Sequence, residues 1–231
     1  AIEEFSMEES AAFAVNFRTA WVSLFVMAKL QPEERLLITA AAGGVGTAAV
    51  QLAAKLGCRV YGMAGSSQKI ELLKSLGATD AINYREPGCF DKLRELESGI
   101  DVVLEMVGGK IFKESFNLLN PFGRIMIAGF ASLDLKKWNP YSWLKTWQDV
   151  PRFDIRTMAE KSVAVMGSHL GYLLERPEQM QQIFDDLKAF VIKHQIKPII
   201  GKVFPFEETS EAHRFIESRK STGKILLKHT K

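Results

Sequence analysis

Chemistry in this chain is first suggested at Ala41-Ala42-Gly43-Gly44-Val45-Gly46, a turn with almost no side-chain bulk. An apolar run, Leu36-Leu37-Ile38, precedes it and reads as a buried parallel strand. Val45, Ala48, Ala49, Leu52 and Leu56 follow at helical spacings of three and four. Backbone amides at such a strand-to-helix turn point outward where the helix dipole is positive, so a pyrophosphate can settle there. Glycine suits the position because a Cβ would hold the ligand off and block the tight turn. The dinucleotide fingerprint is G-x-G-x-x-G, and here alanine stands at its first glycine, Ala41. Small residues also favour close packing of helix on strand, so cofactor cradle and packing device both stand at this point. On the cradle reading, a bulky residue at Gly44 is expected to occupy the pyrophosphate position.

A second cluster lies where the next strand ends, at Gly62-Met63-Ala64-Gly65-Ser66-Ser67-Gln68-Lys69. NAD-selective versions of this arrangement carry an acid here to hold the ribose 2′-hydroxyl. This stretch has no carboxylate to repel a 2′-phosphate, and two hydroxyls and a lysine that can bind one. NADP is therefore favoured over NAD. The competing reading has Ser66 capping the next helix and Lys69 merely solvated.

The four histidines, His169, His194, His213 and His229, have no acid or cysteine at ligand spacing. Only His169, after a strand, could face a crevice. Cys58 and Cys89, the two cysteines, read as free thiols of a reducing compartment, and no Cys/His spacing suggests zinc. No G-x-S-x-G elbow occurs. Asp185-Asp186 and Glu207-Glu208 fall on helical patterns and read as solvated faces. Lys136, Lys137, Lys145, Trp138, Trp143 and Trp147 crowd one short stretch. Such a mixture can mark a membrane-surface helix, cover a substrate pocket or make a subunit contact, and Pro140 interrupts it.

The elements that must position these residues alternate. Ser6 and Glu9 form a capping box before a helix that ends ahead of Gln31-Pro32. Strands are expected at 36–38, 59–63, 81–84, 101–105, 123–129 and 162–167, with helices between. A helix at 177–194, a strand at 198–203, a helix at 207–218 and a strand at 224–227 close the chain. Strand and helix in alternation with short connections mean a doubly wound parallel sheet with helices on both faces. Ligands in such α/β sheets sit beyond the carboxyl ends of the strands. That gathers Gly43 to Gly46, Gly65-Ser66, Val107-Gly108 and Gly129-Phe130-Ala131 around one crevice.

The totals fit this picture. With 231 residues, 47% of them hydrophobic and 25% charged, the chain can bury a substantial core. A net charge of +3 with no basic block argues against nucleic acid. No signal peptide and no apolar run long enough to cross a bilayer are read from the sequence, which makes the cytoplasm the expected location. The chain opens on Ala1, already at the threshold of a helix, as though an amino-terminal portion preceded it.

AAAGGVGTAAVQLAAKLG, VYGMAGSSQK, LGATDAINYREP and the closing STGKILL together resemble the zinc-free quinone oxidoreductase branch of the medium-chain dehydrogenase/reductase superfamily. SMEESAAFAVNFRTAW is similar to that family's interdomain helix. The HLGYL segment and the tryptophan-rich stretch look most like the subgroup named for a synaptic vesicle membrane protein. The resemblance implies a six-stranded Rossmann sheet, with residues 1–30 as linking helix and 31–195 as dinucleotide-binding domain. Residues 196–231 would be return strands of a truncated second domain. It implies an NADP-dependent oxidoreductase passing hydride to a quinone or enone, acting as a homodimer paired through its sixth strand. An enoyl-reductase module, or a nucleotide-binding interaction protein without turnover, are the alternatives. Gly43, Gly44, Val45 and Gly46 would line the pyrophosphate, and Ser66, Lys69 and Tyr84 the adenosine phosphate. Gly129, Phe130 and Ala131 would lie along the nicotinamide, Gly223-Lys224 near the far end of the cofactor, and Val107 among the cofactor-binding residues of the crevice. Tyr84 can equally be a strand-end aromatic packing on its neighbours. The family's amino-terminal barrel, source of much of the substrate pocket, has no counterpart in this sequence.

Overall fold

A computed structural model of the chain describes residues 2–131, 149–150, 152–173 and 175–229. The stretch holding Trp138, Trp143, Trp147, Lys136, Lys137 and Lys145 lies outside the described residues.

Helix α1 (Met7–Trp21) starts as its capping box predicts. The Glu9 amide donates to Ser6 Oγ at 3.1 Å, and the Ser6 amide donates to Glu9 Oε2 at 2.8 Å. Instead of ending cleanly, the helix widens into a π-helical turn, Val22–Met27. By length and composition Met7–Met27 could cross a membrane, contrary to the sequence expectation. Its Phe13, Phe17, Ala20, Trp21 and Leu24 are nevertheless buried in the main hydrophobic core, as in a core helix of a soluble domain.

Six strands form one parallel sheet: β1 (Arg35–Ile38), β2 (Arg59–Ala64), β3 (Asp80–Asn83), β4 (Ile100–Glu105), β5 (Leu119–Ile127) and β6 (Ala164–Gly167). Their spatial order is β3-β2-β1-β4-β5-β6. This is the doubly wound Rossmann arrangement, in which the order reverses between β1 and β4. Alternation along each strand fills two cores. Leu36 and Ile38 of β1, with Val102 and Leu104 of β4, face one helical layer, while Leu37 and Val103 face the other. That two-sided burial is why the strands read as continuous apolar runs.

The connecting helices are α2 (Gly44–Leu56), α3 (Ser67–Ser75), α4 (Cys89–Leu96) and α5 (Gly109–Asn117). They are followed by α6 (Ile155–Lys161), the short α7 (Leu170–Leu173) and α8 (Pro177–Lys193). Strand β5 begins earlier than the sequence suggests, because Leu119 pairs with Ile100 before a register shift. Cys58 and Cys89 are both free thiols, and burial pushes the Cys58 thiol up to about 12.

Beyond α8 come β7 (Ile200–Pro205), α9 (Thr209–Glu217) and β8 (Lys224–Lys228). β7 and β8 make a separate two-stranded parallel sheet. It is stitched to the glycine turn: Gly43 bridges Gly223, and the Gly223 amide donates to the Ala42 carbonyl at 2.8 Å. Gly223 has φ +56, and a Cβ there would lie 2.3 Å from the Ile199 carbonyl oxygen, so only glycine fits the stitch.

Candidate functional site

A cavity of about 460 Å³ opens at the carboxyl ends of the strands, where their order reverses. Its floor is Thr39, Ala40, Ala42 and Gly43, following β1. The first amides of α2 have no intrahelical partner, and the helix dipole makes that end positive. An anion lying over Gly43 therefore meets both.

The three glycines of the turn do different work. Gly43 has extended backbone angles, and a Cβ on it would touch only the Ala40 carbonyl, at 3.4 Å. Its open side is the cavity. Gly44 departs from expectation: a Cβ there would lie 2.5 Å from Asn16 Nδ2, so its bare face is turned to α1 and not to the cavity. Gly46 is turned to the backbone that follows β1, where a Cβ would sit 2.4 Å from the Ala41 carbonyl oxygen. Gly44, Val45 and Gly46 are absent from the cavity wall, and close packing on Asn16 and on the Ala41 backbone requires the missing side chains of Gly44 and Gly46.

At the β2 end the wall is Met63, Ala64, Gly65 and Lys69, with Tyr84 from beyond β3. A Cβ on Gly65 would lie 2.7 Å from the Tyr84 hydroxyl, so the missing side chain is what lets that ring reach over. Ser66 caps α3, accepting the Lys69 amide at 3.4 Å, and is not on the wall. The Lys69 ammonium donates to the Arg219 carbonyl at 2.9 Å. Burial first, then the neighbouring Arg85 charge, lower its pKa. An arriving anion would offset both effects by its charge.

Val107 after β4, Ile111 of α5 and Ala131 after β5 complete the other end, and Ile216, Arg219 and Ser221 close the cavity from the carboxyl-terminal segment. Of the residues singled out from sequence, Gly43, Lys69, Tyr84, Val107 and Ala131 come together here. Gly129, Phe130 and Lys224 stand outside the wall, Gly129 packing near Met106 and Phe130 being half-exposed. His169 is exposed and packs at a tilt against Tyr172, ring centroids 4.8 Å apart.

Sequence reasoning missed Thr39 and Arg219. No local signal marks Arg219, because the Gly43–Gly223 bridge that brings its segment over the cavity spans most of the chain. It also missed Glu105, whose signal was a lone acid closing the apolar strand Val102-Val103-Leu104.

Comparison with known proteins adds a lineage. Residues 44–189 match the family described as zinc-binding dehydrogenase. The human synaptic vesicle membrane protein VAT-1 homolog is 36% identical over 228 residues, covering 97% of this chain and 58% of that protein. Quinone oxidoreductase-like protein 2 of Bos taurus is 34% identical over 229 residues, covering 97% and 61%. The chain thus spans about three-fifths of the length of these relatives. Among solved structures, the quinone oxidoreductase from Thermus thermophilus, also solved in complex with NADPH, superimposes with a TM-score of 0.78 at 32% identity. That match covers 98% of this chain and 68% of the other.

Proposed function

Because the chain belongs to the zinc-binding dehydrogenase family, within the medium-chain dehydrogenase/reductase superfamily, we propose that it holds NADPH for reduction of a quinone- or enone-like acceptor. The observation that carries this is the cavity's charge pattern at the β2 end. Lys69 and Arg219 line it, Arg85 stands near, and no acid follows β2 where a ribose 2′-hydroxyl would be gripped.

On this reading Gly43 and the first amides of α2 receive the pyrophosphate. Tyr84 and Gly65 flank the adenosine half, and Lys69, with Arg219, takes the 2′-phosphate. Val107, Thr39 and Ala131 line the nicotinamide end. NADPH supplies the hydride, while the protein supplies position, a dry wall and electrostatics. The family's description carries the word zinc. Yet among the described residues no three His, Cys, Asp or Glu side chains come together as a metal site needs, so no step is routed through a metal.

Titration with NADPH and with NADH, followed by intrinsic tryptophan fluorescence, tests the proposal. NADPH is expected to bind at least tenfold more tightly, as expected of a charge-assisted phosphate contact worth about 1.5–3 kcal/mol. Equal affinities would remove the phosphate assignment, and no binding of either would remove the nucleotide reading.

The sheet ends at β6, whose outer side pairs with no strand among the described residues. An unpaired edge is a template for another chain, and pairing with a second copy across a two-fold axis is part of the proposal. Light scattering at tens of micromolar should return twice the chain mass of 25.9 kDa. A monomer at that concentration would count against the pairing.

A further inference from the structure

Glu105 closes β4 directly beside the end of β1, at the point of strand-order reversal, and is fully buried. Its Oε1 accepts the Val107 amide at 2.9 Å and the Gly108 amide at 3.0 Å. The Thr39 hydroxyl is 3.3 Å from the same oxygen, and Oε2 accepts Gly108 again at 3.1 Å. Thr39 Oγ1 in turn accepts the Met106 amide at 2.8 Å. The whole turn after β4 therefore hangs on one carboxyl group and the hydroxyl beside it.

Among the described residues no lysine, arginine or histidine forms an ion pair with this group. Burial pushes its carboxyl above the usual range, against the pull of the Gly108 and Val107 amides and the Thr39 hydroxyl. A leucine would fill similar volume without that desolvation cost. What the acid provides instead is a fixed turn. Gly108 and Gly109 sit at φ +91 and +57, and the Val107 and Gly108 amides would otherwise lack a common acceptor.

The consequence falls on the cavity. Of the residues tied to Glu105, Thr39 and Val107 line it, on the side away from Lys69 and Tyr84. With the adenosine half at β2 and β3 and the pyrophosphate at α2, the remaining half of a dinucleotide must extend toward β4 and β5. We propose that Glu105 is a positioning residue, which clamps Val107 and Thr39 into the wall that receives the nicotinamide half of the bound cofactor. The inference rests on the NADPH reading and deepens it.

Calorimetric titration of the full chain with NADPH and with 2′,5′-ADP, which carries only the adenosine half, separates positioning from general support of the fold. Glu105→Leu keeps the bulk and removes both acceptors; Glu105→Gln keeps one. Glu105→Leu is expected to weaken NADPH at least tenfold and 2′,5′-ADP less than twofold, with Glu105→Gln intermediate for NADPH. Equal losses for the two ligands, or unchanged NADPH affinity in folded protein, would overturn the assignment. Should thermal melts show Glu105→Leu to be unfolded, Glu105→Gln carries the test, and a split below threefold between the ligands overturns it. Failure of the unsubstituted chain to bind either ligand would bring down the NADPH reading itself, a result distinct from equal losses.

Discussion

Gly43→Val should abolish NADPH binding while leaving the thermal stability of the chain almost unchanged. The two halves of that result have separate causes. Gly43 has φ −78 and ψ 179, extended angles that valine adopts freely. Its Cβ would meet nothing closer than the Ala40 carbonyl at 3.4 Å, an ordinary contact. The cost to the fold is therefore small for a half-buried cavity-floor position, about 1 kcal/mol or less and a melting shift of about 2–4 °C. The new side chain stands in the cavity over the α2 amides, where the pyrophosphate must approach the backbone. Close approach is the reason for glycine there, and its loss should reduce affinity by about a hundredfold or more, equivalent to about 3 kcal/mol.

The neighbours make the contrast that tests this. Gly46→Ala places a methyl 2.4 Å from the Ala41 carbonyl oxygen and 2.6 Å from the Ala41 Cα, and backbone cannot step aside as a side chain can. Overpacking of this kind costs about 3 kcal/mol, which lowers the melting temperature by about 6–12 °C. Gly44→Ala should fall between, because its obstacle is the Asn16 side chain of α1. Differential scanning fluorimetry and NADPH titration of the three variants read both quantities. Loss of binding by Gly44→Ala with binding kept by Gly43→Val would reverse the assignment of the open face.

That division of labour marks how far the sequence was legible. The strands were, because Leu36-Leu37-Ile38 and Val102-Val103-Leu104 are buried on both faces and carry no alternation to misread. The glycine turn was recognisable, since Gly43, Gly44 and Gly46 fall directly between a buried apolar strand and a helical pattern. Which glycine opens on the cavity was not, because it depends on where α1 lies, and α1 is brought to Gly44 by tertiary packing. Likewise the pattern around Lys69 showed a cation without an acid, but not Arg219. Its place over the cavity is set by Gly223, whose amide bonds Ala42 across some 180 residues of sequence. The π-helical turn at Val22–Met27 was also hidden, since its composition is that of an ordinary apolar helix.

Lys69→Glu is the complementary prediction, in which the cofactor's identity and not its seat is altered. The lysine lies 2.9 Å from a backbone carbonyl, a neutral partner that an anionic phosphate outcompetes. Its lowered pKa, from burial and then from Arg85, means that the ammonium is under-compensated as it stands. Replacing it with a carboxylate removes one charge-assisted contact and sets a like charge beside the phosphate. Together these cost about 3 kcal/mol or more, so NADPH should weaken by over about a hundredfold. NADH, which has a hydroxyl in place of that phosphate, has no such contact to lose, and its affinity should change by less than about threefold. A gain in NADH affinity would carry the same meaning, the incoming glutamate then accepting the 2′-hydroxyl as the acid after β2 does in NAD-selective sheets. Parallel loss for both cofactors would instead mean that Lys69 holds the carboxyl-terminal segment through Arg219 and leaves the phosphate to other groups. Double substitution with Arg219→Ala then distinguishes a shared phosphate site, where the losses couple, from two independent roles, where they add.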